Sequence, residues 1–143
     1  MRRATMIAVV LLSGCGNMLQ GSLTADWKDQ DRSVTMTPDQ CESGERSGFF
    51  GVDMWTEGSE GAHIRAILDA KDGPAIKVDV PGVEQTVTLV PGADCETLEL
   101  TVERQDARTN NIVHVHGHLK LDCKPPGPPA LVLHADIVFA DCH

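Results

Sequence analysis

The sequence predicts an all-β domain, an antiparallel β-sandwich or barrel of about eight or nine strands. Three observations predict it. Apolar and polar residues alternate with a period of two along most of the chain, which gives strands with one core face and one wet face. Turn residues interrupt these runs about every 8–12 residues, the spacing of sandwiches and barrels. The two longest alternating runs, residues 111–123 and 130–142, flank the hexapeptide Lys124-Pro125-Pro126-Gly127-Pro128-Pro129. Four of its six residues are prolines without an N–H, so it connects strands and cannot join a ladder.

The chain opens with Met1-Arg2-Arg3, an apolar run from Ala4 to Leu12, then Ser13-Gly14-Cys15. A basic segment, a short apolar segment and small residues form the plan of a secretory signal. Nine apolar residues are too few to span a bilayer, which needs about 20. Leu12-Ser13-Gly14-Cys15 resembles the lipobox of bacterial lipoproteins. The resemblance covers about the first 17 residues. It implies that residues 1–14 are a cleaved signal peptide and that Cys15 is the lipidation site, carrying a diacylglycerol and, through palmitate or a similar chain, an acylated amine. It also implies an outer-membrane lipoprotein facing the periplasm or the cell surface, because Gly16 and not Asp follows the cysteine. Residues 15–20 read as a lipidated tether and residues 21–143 as a single β domain.

Within that domain, Leu23, Ala25 and Trp27 alternate with Thr24 and Asp26, and Val34 and Met36 with Thr35 and Thr37. Phe50, Val52 and Met54 follow, then Ile76, Val78 and Val80. Val83, Gln85, Val87 and Leu89 form one run, and Leu98, Leu100 and Val102 another. Asp72-Gly73 and the repeated Val80-Pro81-Gly82 and Val90-Pro91-Gly92 mark turns. His63–Lys71 reads as a strand, although Ile64, Ile67 and Leu68 also fit a helix face. In residues 111–123, Val113, Val115, Gly117, Leu119 and Leu121 point to the core, and Ile112, His114, His116, His118, Lys120 and Asp122 point away. In residues 130–142, Leu131, Leu133, Ala135, Ile137 and Phe139 form the core face.

Without residues 1–14 the chain has 129 residues, one domain with a real core. The net charge is −9, and loss of Arg2 and Arg3 takes it to −11. That acidity opposes nucleic acid or anionic lipid as a partner, since both need basic patches. Cys41, Cys95, Cys123 and Cys142 remain, an even number in an exported domain, so two disulfides are expected. If residues 96–104 pair with 111–123 across a turn at 105–110, Cys95 meets Cys123. Cys142 then lies tens of ångströms from Cys123 at about 3.3 Å per residue, which leaves Cys41 as its partner.

The constellation with chemistry in it is His114-Val115-His116-Gly117-His118. Three imidazoles at i, i+2 and i+4 share one face of a strand, a known way to hold zinc or copper. A site of His116, His118, His134 and Asp136 follows if the last two strands pair, with His63 and His143 as ligands not placed by the sequence. Lys120 and Asp122 on the same face argue for plain solvent exposure. His-x-His on an exported sandwich is similar to copper/zinc superoxide dismutase only in His114-Val115-His116, and that family's other ligand spacings are absent. Residues 41–51 are glycine-rich without the Gly-Lys-Ser/Thr ending of a phosphate loop. Asp26, Asp29 and Asp31 miss the spacing of a calcium loop. There is no Gly-x-Ser-x-Gly elbow, and two Trp, three Phe and no Tyr are a thin supply for carbohydrate binding.

The expected protein is therefore a lipid-anchored module without enzymatic activity or cofactor. Its partners are the membrane, through Cys15, and an envelope protein. Zinc or copper on the His strand, or a small apolar ligand inside a closed barrel, are the alternatives.

Overall fold

The computed structural model describes residues 17–58, 61–92 and 94–143. Residues 1–14, expected to be a cleaved signal, and Cys15, the expected lipidation site, lie outside the described residues. Ten strands form two antiparallel five-stranded sheets. They are β1 (Met18–Trp27), β2 (Arg32–Met36), β3 (Gln40–Ser43), β4 (Gly51–Trp55), β5 (His63–Ile67), β6 (Ala75–Asp79), β7 (Val87–Leu89), β8 (Cys95–Thr109), β9 (Ile112–Cys123) and β10 (Leu131–Cys142). The first sheet has the order β2-β1-β10-β9-β8, and the second is the meander β3-β4-β5-β6-β7.

Alternation decides which faces meet. Leu23, Ala25 and Trp27 on β1 and Val115, Leu119 and Leu121 on β9 are buried, with Leu131, Leu133, Ile137 and Phe139 on β10. They pack in one cluster with Val52 and Met54 on β4, Ile64 and Ala66 on β5, Ile76 and Val78 on β6, and Leu89 on β7. A fully buried aliphatic or aromatic side chain contributes about 1.5–3 kcal/mol, so this interleaving of two apolar faces is what holds the sheets together. The sheets keep separate edges. The fold is a sandwich and not a barrel, with apolar side chains packed between its layers.

Four local features differ from the sequence reading. First, β1 begins at Met18, so residues 18–20, expected in the tether, are sheet. Gly21 makes this pairing possible. Its φ is +108°, and a Cβ there would run into the carbonyl of Asp136. Second, β8 continues to Thr109, and the turn to β9 is the pair Asn110-Asn111, both at positive φ (51° and 66°). Asn tolerates that region, and two such residues make the tight hairpin turn. A register shift between Arg104 and Arg108 absorbs the residues expected in a longer loop. Third, only Val87–Leu89 of the 83–89 run is strand. Residues 81–86 form a loop in which the Thr86 hydroxyl donates to Asp79. Fourth, the strand expected over His63–Lys71 is a strand but ends at Ile67, with Ile64 and Ala66 alternating into the core.

Both disulfides form as expected. Cys95 pairs in register with Cys123, with Cα atoms 4.0 Å apart. Cys41 on β3 bonds Cys142 at the end of β10, Cα–Cα 5.1 Å, and so ties the edge of one sheet to the other. Residues 86–88 lie beside Leu131 and the proline loop. Successive strands of the second sheet thus step along β10 from its Cys142 end to its Leu131 end. No helix among the described residues is long and apolar enough to cross a membrane.

Candidate functional site

The outward face of β9 carries the histidines that the alternation places there. They do not converge. His116 Nε2 lies 3.1 Å from Glu103 of β8, and His118 Nε2 lies 2.6 Å from Asp136 of β10. His134 faces Asp122 at 3.8 Å. Each imidazole is turned to a carboxylate on an adjacent strand. The two central ones therefore lean to opposite sides of β9. Of His116, His118, His134 and Asp136, the structure brings together only His118 and Asp136. The reason is the sheet itself: side chains two residues apart on a strand are about 7 Å apart, and nearer carboxylates are on offer. The hydrogen bond from His118 holds the Asp136 carboxyl below its ordinary range. Among the described residues, no group of three His, Cys, Asp or Glu is disposed to hold a metal ion.

His114 is in a different setting. Its Nε2 is 2.8 Å from the Thr109 hydroxyl, and its Nδ1 is buried without a hydrogen-bond partner, 3.9 Å from Asp141 Oδ1. Its ring stacks on His143 at 4.1 Å and 10°. His143 Nδ1 donates to the Asp141 carbonyl at 2.9 Å. Gln105 clamps Asp141 from both sides: its amide donates to Oδ1 at 3.0 Å, and its oxygen accepts from the Asp141 N–H at 2.9 Å. That clamp holds Asp141 at φ +54°, a region costly for a non-glycine residue.

The opposite outer face holds a polar cluster that the sequence reading missed. Asp53 on β4 is buried, with its side chain 3% exposed. Arg65 on β5 grips it with two hydrogen bonds, Nε to Oδ1 at 2.8 Å and Nη2 to Oδ2 at 3.0 Å. This bidentate geometry is the strong form of the pair, and it pushes the guanidinium above its ordinary range. His63 Nε2 lies 3.2 Å from the same carboxylate, and its Nδ1 lies 3.8 Å from Asp79. Trp55 meets the His63 ring edge-on at 6.4 Å. With Glu42, these residues line a shallow cleft of about 560 Å³. Cross-strand register assembles the cluster: Asp53 pairs with Arg65, and His63 with both Trp55 and Asp79. No spacing along the chain announces it.

Three clefts adjoin the proline loop at one end of the sandwich. One of about 730 Å³ is lined by Trp27, Arg32, Gly82, Glu84, Gln85 and Pro126–Pro129. Smaller ones of about 270 and 200 Å³ adjoin it on either side of Pro128 and Pro129. Arg32 stacks over the Trp27 ring at 4.3 Å, and its Nη2 donates to the Pro81 carbonyl at 3.4 Å. That contact joins the β1–β2 turn to the 81–86 loop.

The glycine-rich segment 41–51 has a structural task. Gly44–Ser47 form a 3₁₀ turn capped by the Ser43 hydroxyl, and Glu45 Oε2 accepts from the Val113 N–H at 3.1 Å, tying it to β9. The acidic residues Asp29 and Asp31 lie exposed in the β1–β2 turn, and Asp26 is exposed near the end of β1.

Comparison with known protein families, with curated proteins and with solved structures finds no match to this chain.

Proposed function

We propose that the protein is a lipid-anchored, non-enzymatic interaction module of the cell envelope, held in the outer membrane through Cys15. The observation that carries this reading is the placement of the two ends. The described chain starts at Asn17, two residues after Cys15, and Met18 pairs with Ala140. The clefts around the proline loop lie beside Trp27 and Leu131, nine residues further along the same β1–β10 ladder. At about 3.4 Å per residue this is roughly 30 Å from the tether. Loops at the end of a rigid sandwich are a usual place for binding. The other surfaces offer less. The exposed large hydrophobic side chains among the described residues are Met18, Val90 and Val138, too few for an apolar docking patch. The open edge of β8 is guarded by Glu96, Glu99, Glu103, Asp106 and Arg108 and by two register shifts, devices that discourage strand addition.

Two measurements test this. Cys15→Ser blocks processing and releases the protein from membranes; normal membrane partition of that variant would overturn the anchor. A photo-cross-linking amino acid at Gln85, beside the clefts, gives a discrete adduct in cells that the same residue at Glu99 on the open edge does not. Adducts from neither position, or the same adduct from both, overturn the assignment of the loop end.

A further inference from the structure

We infer that the tether end of the sandwich rests directly on the phospholipid surface and that the β8–β9 hairpin tip makes a second membrane contact. This rests on the lipidated Cys15 of the preceding section and adds an orientation to it. The first argument is covalent. Three residue steps separate Cys15 from Met18, and an extended chain spans at most about 3.3–3.6 Å per residue. The first residue of β1 therefore stands within about 10 Å of the lipidated cysteine, whatever path residues 16 and 17 take. A lipidated cysteine sits where acyl chains begin. The headgroup layer on one side of a bilayer is itself about 5–8 Å thick, from a 30 Å core inside a 40–45 Å membrane. Met18, 59% exposed, is thus held within about 10 Å of the acyl boundary, at the outer side of that layer. A longer tether would let the domain float free, but the pairing of residues 18–20 with β10 removes that slack.

The second argument is register. On β10, Ala140 lies level with Met18, and Cys142 lies level with Val115 of β9. The chain of β9 continues from Val115 back to Ile112, and β8 meets it there through Thr109. The hairpin therefore projects past Cys142 by three residues, about 10 Å, and past Met18, which lies level with Ala140, by somewhat more. Its tip carries Arg108, Asn110 and Asn111, all exposed. Arg108 supplies a forked donor that suits a lipid phosphate, and the two Asn side chains supply further polar contacts at headgroup level. The tip is also braced. Glu45 holds the Val113 N–H, and the Thr109 hydroxyl meets His114. The hairpin is a stiff strut, and with the lipid on Cys15 it makes a two-point stance that points the proline-loop clefts away from the bilayer.

The full-length lipoprotein is reconstituted into vesicles of phosphatidylethanolamine and phosphatidylglycerol carrying a nitroxide on the headgroup. A fluorescent amino acid is placed at Ala107 near the tip, and in a second protein at Gln85 beside the clefts. The expected result is co-flotation with the vesicles, at least twofold quenching at Ala107 and none at Gln85. Arg108→Glu keeps flotation and lowers the Ala107 quenching. Flotation with no quenching at Ala107, or equal quenching at both positions, overturns the two-point stance and leaves the anchor standing. Failure to float overturns both the stance and the lipid reading.

Discussion

Removing Arg65 and removing Asp53 are not equivalent perturbations, although the two side chains form one pair. The Asp53 side chain is 3% exposed and that of Arg65 is 35% exposed. Arg65→Met leaves a carboxylate that water cannot reach. Its Oδ2 loses its hydrogen bond, and Oδ1 keeps only His63 Nε2 at 3.2 Å. Stranding a buried charge costs about 3–5 kcal/mol, and the surviving His63 contact puts the expected loss near 3 kcal/mol. Asp53→Asn leaves a guanidinium that turns to solvent from an open cleft. The loss is that of one charge-assisted interaction, about 1.5 kcal/mol, the low end of its range because Arg65 is partly solvated. The double variant Arg65→Met/Asp53→Asn removes the stranded charge and recovers at least about 1 kcal/mol relative to Arg65→Met alone, a coupling characteristic of residues in contact. Urea unfolding of the chain from residue 16 to residue 143, with disulfides intact and m-values compared, reads all three. Equal single losses of under 1 kcal/mol with an additive double variant would refute the reasoning, because that is the behaviour of an exposed pair.

Three further outcomes follow from the fold. The disulfides differ in the loops they close, 101 residues for Cys41–Cys142 and 28 for Cys95–Cys123. By chain entropy, replacing the first pair with Ser costs about 4.7 kcal/mol and the second about 3.6 kcal/mol, so urea midpoints fall further for Cys41→Ser/Cys142→Ser; the reverse order would contradict the model of a constrained unfolded state. Gly117→Ala drives a methyl group into the Thr101 carbonyl and the Phe139 ring, and a thermal melt shows a loss of at least the 1–3 kcal/mol typical of overpacking. The Asp136 carboxyl is depressed by His118, so its contribution to stability is present above the ordinary carboxylate range and is lost as pH falls through its lowered folded-state value; in His118→Ala, a carbon-detected NMR titration finds Asp136 moved up toward its ordinary value, and an unmoved titration would show that the hydrogen bond is not made in solution.

The antiparallel all-β class, as a sandwich or a barrel, the core faces of β9 and β10 and both disulfide pairs were legible in the chain; the choice of sandwich was not. Alternation at period two is a local property, written residue by residue, and it fixes which side of each strand is apolar. Cysteine pairing followed from counting positions along one hairpin. Turn chemistry was legible only in part. Pro81-Gly82 and the proline loop announced themselves, whereas Asn110-Asn111 was hidden inside a segment that looked like an ordinary polar loop. The start of β1 was hidden for a related reason: Gly21 reads as a break in the pattern, and only the approach of Asp136 shows that a strand passes through it.

What the tertiary structure decided is which outward side chains meet. The His strand was visible as a row of imidazoles. Its partners, Glu103 on one side and Asp136 on the other, depend on the register of β8 and β10 against β9, and a shift of one residue would exchange every neighbour. The Asp53–Arg65–His63 cluster had no signature along the chain: its members come from adjacent strands, and His63, though singled out as a candidate ligand, had no partner the spacing could name. The sequence by itself determined the class of fold and the cysteine pairs, because these are written in local alternation and short spacings. The separation of the Met18 end from the proline-loop clefts, and the register that turns each imidazole to its own carboxylate, were decided only by folding, because they depend on contacts between residues far apart in the chain.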